Sequence, residues 1–132
     1  MRISLLALLV IASFAGCGLS GDDEGGSDRD AVEQVMSDLE SASREGDGER
    51  ICGQIFTPKL ADNVTDSSTS GSCASEVKAK LFSPDAAIEV QNIDVPDESN
   101  ASATVEEANG NTSTVFLVKQ SGRWRIRSVA PA

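Results

Sequence analysis

The stretch that decides the fold is Thr112-Ser-Thr-Val-Phe-Leu-Val-Lys-Gln-Ser-Gly-Arg-Trp-Arg-Ile-Arg-Ser-Val129. Residues 112–120 predict a strand, the Ser-Gly pair predicts a turn, and the residues after it predict a second strand. Trp124 and Ile126 are expected to point to one face of the second strand, and its arginines to the other. Residues 115–118 are apolar on both faces. We therefore expect one sheet face to pack on helices and the other to line a concavity or an oligomer contact.

Two more strands are predicted immediately upstream. Residues 101–106 alternate between apolar and polar side chains, which is typical of a half-buried strand. In residues 88–95, Ile88 and Val90, with Asn92 as a candidate, are assigned to one face of another strand. The Asn-Gly pair at 109–110 favours a tight hairpin turn, since these residues accept positive φ angles. The four strands together predict an antiparallel meander.

The residues before the strands predict helices. Residues 28–45 carry an apolar stripe at helical spacing, and Gly46 is placed to end that helix. A second helical segment begins at Asp47 and is broken at Pro58, which restarts a short turn or helix through residue 63. Residues 65–72 predict a polar loop and residues 73–82 a third helix. Helices followed by strands predict an α+β fold, with three N-terminal helices on a four-stranded antiparallel sheet.

The order of these motifs resembles the nuclear-transport-factor-2-like (NTF2-like) domains, and more narrowly the small actinobacterial lipoproteins of that superfamily. The likeness covers about residues 29–130 and rests on Gly46-Asp-Gly48, on Cys52 ahead of Thr57-Pro58, on Cys73, and on Gly122-Arg-Trp-Arg-Ile126. The resemblance implies a cone in which a curved sheet and helices can enclose a ligand. Homodimers that use the sheet face are common in the superfamily. None of these motifs is catalytic, so the likeness implies architecture and leaves the activity open.

The first residues predict export. Arg2 precedes an apolar run over residues 3–12, which is too short to span a bilayer and is typical of a signal peptide. Ala15-Gly-Cys17 resembles the lipobox of bacterial lipoproteins, which implies cleavage after residue 16 and a lipid, including palmitate, on Cys17. We therefore predict a signal peptide at 1–16, an acidic Gly/Ser-rich tether at 17–28 and one domain at 29–132, anchored to the outer face of a bacterial cell membrane. An ordinary secretory signal, with Cys17 removed or free, remains the alternative.

Charge and cysteine content narrow the classes of partner. The formal net charge of −10 argues against nucleic acid, whose phosphates require a basic surface. With Cys17 assigned to lipid, Cys52 and Cys73 remain, and export to an oxidising compartment predicts a disulfide between them. The chain has no histidine and two distant cysteines do not make a metal site, so we expect neither a metal nor a cofactor.

No residue set predicts catalysis. A Ser-His-Asp triad is impossible without histidine, and Glu89, Asp94 and Glu106, on predicted strands, are interpreted as solvated carboxylates. A second set of residues, the arginine row, consists of Arg123, Arg125 and Arg127. These arginines are a candidate anion-binding site. The favoured interpretation is that they lie on an exposed strand face and pair with nearby acidic residues. We predict a non-enzymatic binding or interaction module of the cell envelope, with an envelope protein or a second copy as partner. The alternative is a small-ligand carrier or a cone-pocket enzyme, isomerase- or cyclase-like, that uses carboxylates or the arginines.

Overall fold

The computed structural model describes residues 24–80 and 87–131, where helices precede strands. The helical elements are α1 (Glu24–Glu45), α2 (Gly48–Arg50), a π-helical turn (Ile51–Ile55), α3 (Pro58–Ser67) and α4 (Cys73–Lys80). The strands are β1 (Ile88–Asp94), β2 (Asn100–Glu107), β3 (Thr112–Gln120) and β4 (Arg123–Pro131). The predicted signal peptide, Cys17, the tether to residue 23 and the predicted helix end at residues 81–82 lie outside the described residues.

The sheet confirms the predicted α+β meander. Its strand order is β1-β2-β3-β4, and every neighbouring pair is antiparallel. The register pairs Ala103 with Val115 and Ala101 with Leu117, so these side chains share the face that packs on the helices. All four are buried, which is the outcome that the alternating pattern in β2 predicts.

Two bulges change which strand residues face the helices. The β1–β2 register shifts between Val90 and Asn92, so Ile93 pairs with Ala103 and is buried, whereas Asn92 is exposed. Assigning Asn92 to the face of Ile88 was therefore wrong, because an extra residue in a bulge reverses the alternation beyond it. The β3–β4 register also shifts, opposite Phe116–Leu117, and brings Val129 back to the helix-facing side opposite Val115.

The helix boundaries differ from the predicted ones at two places. α1 begins at Glu24 rather than residue 28 and so includes the last residues of the predicted tether. Their glycines favour coil, but adding residues to a helix that is already formed avoids the cost of nucleation. α3 continues to Ser67 instead of ending near residue 63. Its start is fixed by Pro58 at the first turn and by Thr57 Oγ1, which accepts from the Leu60 amide at 3.2 Å.

α1 is tied to both ends of the edge strand β1. The Arg29 guanidinium donates to the Ile93 carbonyl at 2.9 Å, and a Glu40 carboxylate oxygen accepts from the Ile88 amide at 3.0 Å. These contacts satisfy backbone groups that an edge strand would otherwise expose. Since Ile88 lies at the start of β1 and Ile93 near its end, α1 runs antiparallel to β1.

Asp28 fastens the start of α1 to the β3–β4 hairpin. One carboxylate oxygen of Asp28 accepts from Lys119 Nζ at 2.9 Å and from Trp124 Nε1 at 3.1 Å. These hydrogen bonds hold the pKa of the Asp28 carboxyl group below its usual range, and the bond from Lys119 contributes more than the bond from Trp124. The start of α1 therefore lies at the sheet end that carries the β3–β4 turn, and its last turns lie at the opposite end.

A disulfide joins the π-helical turn to α4. The structure pairs Cys52 with Cys73, as predicted, with a Cα–Cα distance of 6.1 Å. At the same junction, Gly48 of α2 approaches the backbone of Ala74, with an ideal Cβ position at 3.0 Å from Ala74 Cα. None of the described helices is long and apolar enough to cross a membrane.

Candidate ligand pocket in the cone

A pocket of about 350 Å³ lies between the C-terminal half of α1 and the helix-facing side of the sheet. It is at the sheet end that carries the β2–β3 turn, so it is remote from Asp28. Its body is lined by apolar side chains from α1, from the segment before α3 and from three strands: Met36, Leu39, Phe56, Val105, Val115 and Ile126. The pocket can therefore accept the apolar part of a small ligand.

Simple periodicities place these side chains around the pocket. Met36, Leu39 and Ser43 are spaced by three and four residues, so they lie on one face of α1. Val105 on β2 and Val115 on β3 lie on the helix-facing side by the two-residue alternation of a strand. The pocket is thus the unfilled end of the same layer that forms the hydrophobic core.

Val129 marks where the pocket opens. It lies opposite Val115, on the helix-facing side, yet 53% of its surface is exposed. Ala87 and Ile88, at the start of β1, and Ala108, in the β2–β3 turn, also border this end. A half-exposed valine on the apolar side of a sheet indicates that the helices do not cover this end of the cone.

Among the described residues, the mouth of the pocket carries one carboxylate, that of Glu107 at the end of β2. Ser113 Oγ donates to one of its oxygens at 3.3 Å, and Asn109 Nδ2 donates to the other at 3.4 Å. The Asn109 side chain is itself held, because its oxygen accepts from the Asn111 amide at 2.8 Å. The β2–β3 turn therefore orients the carboxylate beside the opening.

Inside the pocket the polar group is Ser43 of α1. This residue is only 4% exposed and lines the pocket. Its Oγ makes no hydrogen bond to any described residue, and it is not among their buried polar atoms that lack a partner. The Ser43 hydroxyl is therefore available to a polar atom of a ligand or to water.

The arginine row does not line this pocket. The Arg125 guanidinium donates to the carbonyl oxygens of Gly53 at 3.0 Å and Phe56 at 3.2 Å, where the π-helical turn ends. Arg127 lies over the Phe116 ring, 5.9 Å from its centroid. Arg123 borders a separate cleft, of about 270 Å³, that also includes Arg50. Anion binding by the row remains a prediction, and it would take place outside the cone.

The carboxylates considered from the sequence are also outside the pocket. Glu89, Asp94 and Glu106 are exposed on β1 and β2, and Glu106 accepts from the Gln91 side chain at 3.5 Å. The sequence reasoning missed Glu107. The signal was present, because the period that places Ala103 and Val105 on the helix-facing side continues to residue 107.

Metal binding finds no support among the described residues, where no group of three or more cysteine, aspartate or glutamate side chains converges. Near the disulfide, the Glu76 carboxylate is buried and accepts from Ser70 Oγ at 3.2 Å. That contact joins the loop before α4 to the helix itself, so we assign it a structural role.

Comparison with known proteins gives one informative match. No family model matches the chain, and no curated protein is detectably similar. Among solved structures, the chain is similar to an NTF2-like protein of unknown function from Shewanella baltica OS155. The TM-score is 0.53 at 18% sequence identity, and the match covers 81% of this chain and 97% of the other. Together with the helices and the four-stranded antiparallel sheet, this likeness shows that the chain has the NTF2-like α+β fold.

Proposed function

We propose that this protein is a lipid-anchored binding domain of the bacterial cell envelope whose cone holds a small apolar ligand, without catalysing a reaction on it. The observation that carries the proposal is the open apolar pocket between α1 and the sheet. The only ionisable side chain among its described lining residues is Glu107, at the water-exposed mouth. A proton-transfer enzyme would need a titratable group beside the reacting atoms, deep in the cone.

The volume of the pocket limits the size of the ligand. Sites for small molecules occupy about 300–1,000 Å³, so a pocket of about 350 Å³ is at the lower end of that range. Each buried methylene contributes about 0.8 kcal/mol, so a short alkyl chain in this pocket can bind measurably. An eight-carbon alkyl chain or a compound of similar bulk is therefore the appropriate first ligand.

Blocking the mouth tests this part of the proposal. We expect Val129→Trp to weaken the binding of 1-octanol about tenfold or more, because an indole at this position fills the opening. Ser128→Trp is the matched control, since residue 128 is exposed and pairs with Phe116 on the opposite side of the same strand. Titration calorimetry on protein from an exporting host measures both. Equal octanol binding by the two variants would contradict the proposal, as would a native protein that binds no eight-carbon alkyl compound.

The envelope location rests on the leader. Ala15-Gly-Cys17 after a short apolar run favours acylation of Cys17, and the acidic residues that follow favour a spacer before α1. Two acyl chains would hold the protein stably at a bilayer surface. The start of α1 lies at the sheet end remote from the cone mouth. The pocket would therefore open on the side of the domain away from its anchor.

Labelling tests the anchor. In a bacterial host fed labelled palmitate, we expect the native chain to carry the label and to remain with the membranes. Cys17→Ala should lose the label, because the thiol that would form the thioether is gone. Ser20→Ala, three residues later, should keep it. A native chain without label, released with an N-terminus other than Cys17, would support the ordinary secretory signal instead.

A further inference from the structure

We propose that the ligand of the cone is an apolar amine, a small molecule with an alkyl or aryl body and a cationic head group that pairs with Glu107. This inference rests on the proposed function and adds the chemical class of the ligand. It depends on which charged groups surround the mouth, on how Glu107 is held, and on the Ser43 hydroxyl, which has no hydrogen-bond partner in the described part of the chain.

The charges around the mouth favour a cation. The described lining residues include one carboxylate and no lysine or arginine. The nearest arginine in sequence on α1, Arg44, forms an ion pair with Glu40 at 3.0 Å, so this cation already has a carboxylate partner. The net charge of −10 adds a long-range field of the same sign as Glu107. An anionic head group at this position would be repelled, and a cationic one attracted.

The geometry of Glu107 leaves capacity for a ligand. Its two oxygens each accept one hydrogen bond, from Ser113 and from Asn109. An ionised carboxylate offers about four acceptor positions, so two remain for an ammonium group. Both existing donors are neutral, and no described lysine or arginine pairs with the carboxylate, so no described side chain compensates its negative charge. Because Ser113 and Asn109 fix the carboxylate in advance, binding a cation there requires little reordering.

Ser43 adds a second polar contact farther inside. The residue is only 4% exposed and borders the pocket, and its hydroxyl has no partner among the described residues. A ligand that is wholly apolar would leave this hydroxyl unsatisfied, at a cost. A ligand that carries a polar atom within its body could bond this hydroxyl, and a ligand that leaves room for one water molecule would let that water bond it. We therefore expect the best ligands to be amphiphilic rather than pure hydrocarbons.

The test compares three ligands that share one eight-carbon chain: octylamine, 1-octanol and octanoate. At neutral pH the amine is charged, like the side chain of lysine. We expect the native protein to bind octylamine about tenfold more tightly than octanol, and octanoate more weakly than either. Raising the salt concentration should reduce the preference, because the mouth is open to solvent.

A neutral variant identifies the group responsible. Glu107→Gln should bring the ratio of the octanol and octylamine dissociation constants down to about one. Glu106→Gln removes the same charge one residue earlier, on the other side of the sheet, and should keep the ratio of the native protein. Circular dichroism spectra of both variants verify that the fold is retained.

The possible results separate the two proposals. Octanol binding without any preference for the amine overturns the amine inference and leaves the apolar pocket as the site. Loss of the preference in both glutamate variants also overturns it, because net charge rather than Glu107 would then be responsible. Failure of all three ligands to bind the native protein overturns the proposed function, and this inference with it.

Discussion

Replacing Cys52 and Cys73 together by alanine is expected to lower the free energy of unfolding by about 3 kcal/mol. The disulfide closes a loop with a sequence separation of 21 residues, and the chain-entropy model assigns about this much to a loop of that length. The loss is large for a domain of this size, whose total stability is about 5–15 kcal/mol. Urea denaturation of the native and doubly substituted proteins, both from an exporting host, measures the difference.

A reducing agent provides the control for this prediction. Reduction should destabilise the native protein by a similar amount and leave the double variant unaffected. The cysteines lie on the π-helical turn and at the first residue of α4, and Cys73 is buried, so the substitutions also remove some packing. A native protein as stable in reductant as without it would contradict the prediction, because the loop would then contribute no stability.

The strands show how far the sequence could predict the fold. The alternation of Ala101, Ala103 and Val105 identifies both β2 and its buried side, and the structure confirms it. The bulge near Asn92 could not be found in this way, because no local motif in residues 88–95 marks the extra residue that brings Ile93 to the buried side. Pairing of the described cysteines was predictable from their number and from the predicted export of the chain.

The helices show which features amino-acid composition alone cannot predict. Gly25 and Gly26 predict a flexible tether, yet α1 includes them, because α1 is already nucleated by its packed turns. The Ser/Thr-rich run after residue 63 predicts a loop, but Thr65 Oγ1 donates to the Ala61 carbonyl at 2.9 Å within α3. In this way the threonine satisfies its hydroxyl without leaving the helix. These hydrogen bonds are readable in the structure and not in the composition.

The candidate pocket was only partly predictable. Its apolar walls follow from the two periodicities, but the opening depends on how much of β4 the helices cover, and no local sequence pattern predicts this. The position of Glu107 on the helix-facing side follows from the two-residue period of β2. The exposure of Ser43 to the pocket, in contrast, depends on the rotation of α1 about its axis. For the arginine row, a shared predicted strand face did not predict a shared site. Its members have separate partners in the structure.

Gly48→Ala is expected to destabilise the fold by about 1–3 kcal/mol, the usual range for overpacking a dense contact. A methyl group at this position would overlap the carbonyl oxygen of Ala74, which belongs to the backbone of α4 and cannot rotate away. Gly53→Ala is the matched control, because nothing lies within 4 Å of its Cβ position. Gly53→Ala should leave stability unchanged or raise it slightly, by reducing the entropy of the unfolded chain. Thermal unfolding should therefore separate the two variants by several degrees.

The two largest predicted effects should also depend on each other. Gly48 contacts α4 at Ala74, directly beside the residue that the disulfide fixes, so the disulfide prevents α4 from moving away from a new methyl group. When Cys52 and Cys73 are alanine, α4 can shift, and Gly48→Ala should then cost less than in the native protein. A double-mutant cycle measures this coupling, which for neighbouring sites amounts to about 0.5–3 kcal/mol. Strict additivity would show that α4 keeps its position without the disulfide, and that its packing against α2, α3 and the π-helical turn fixes it.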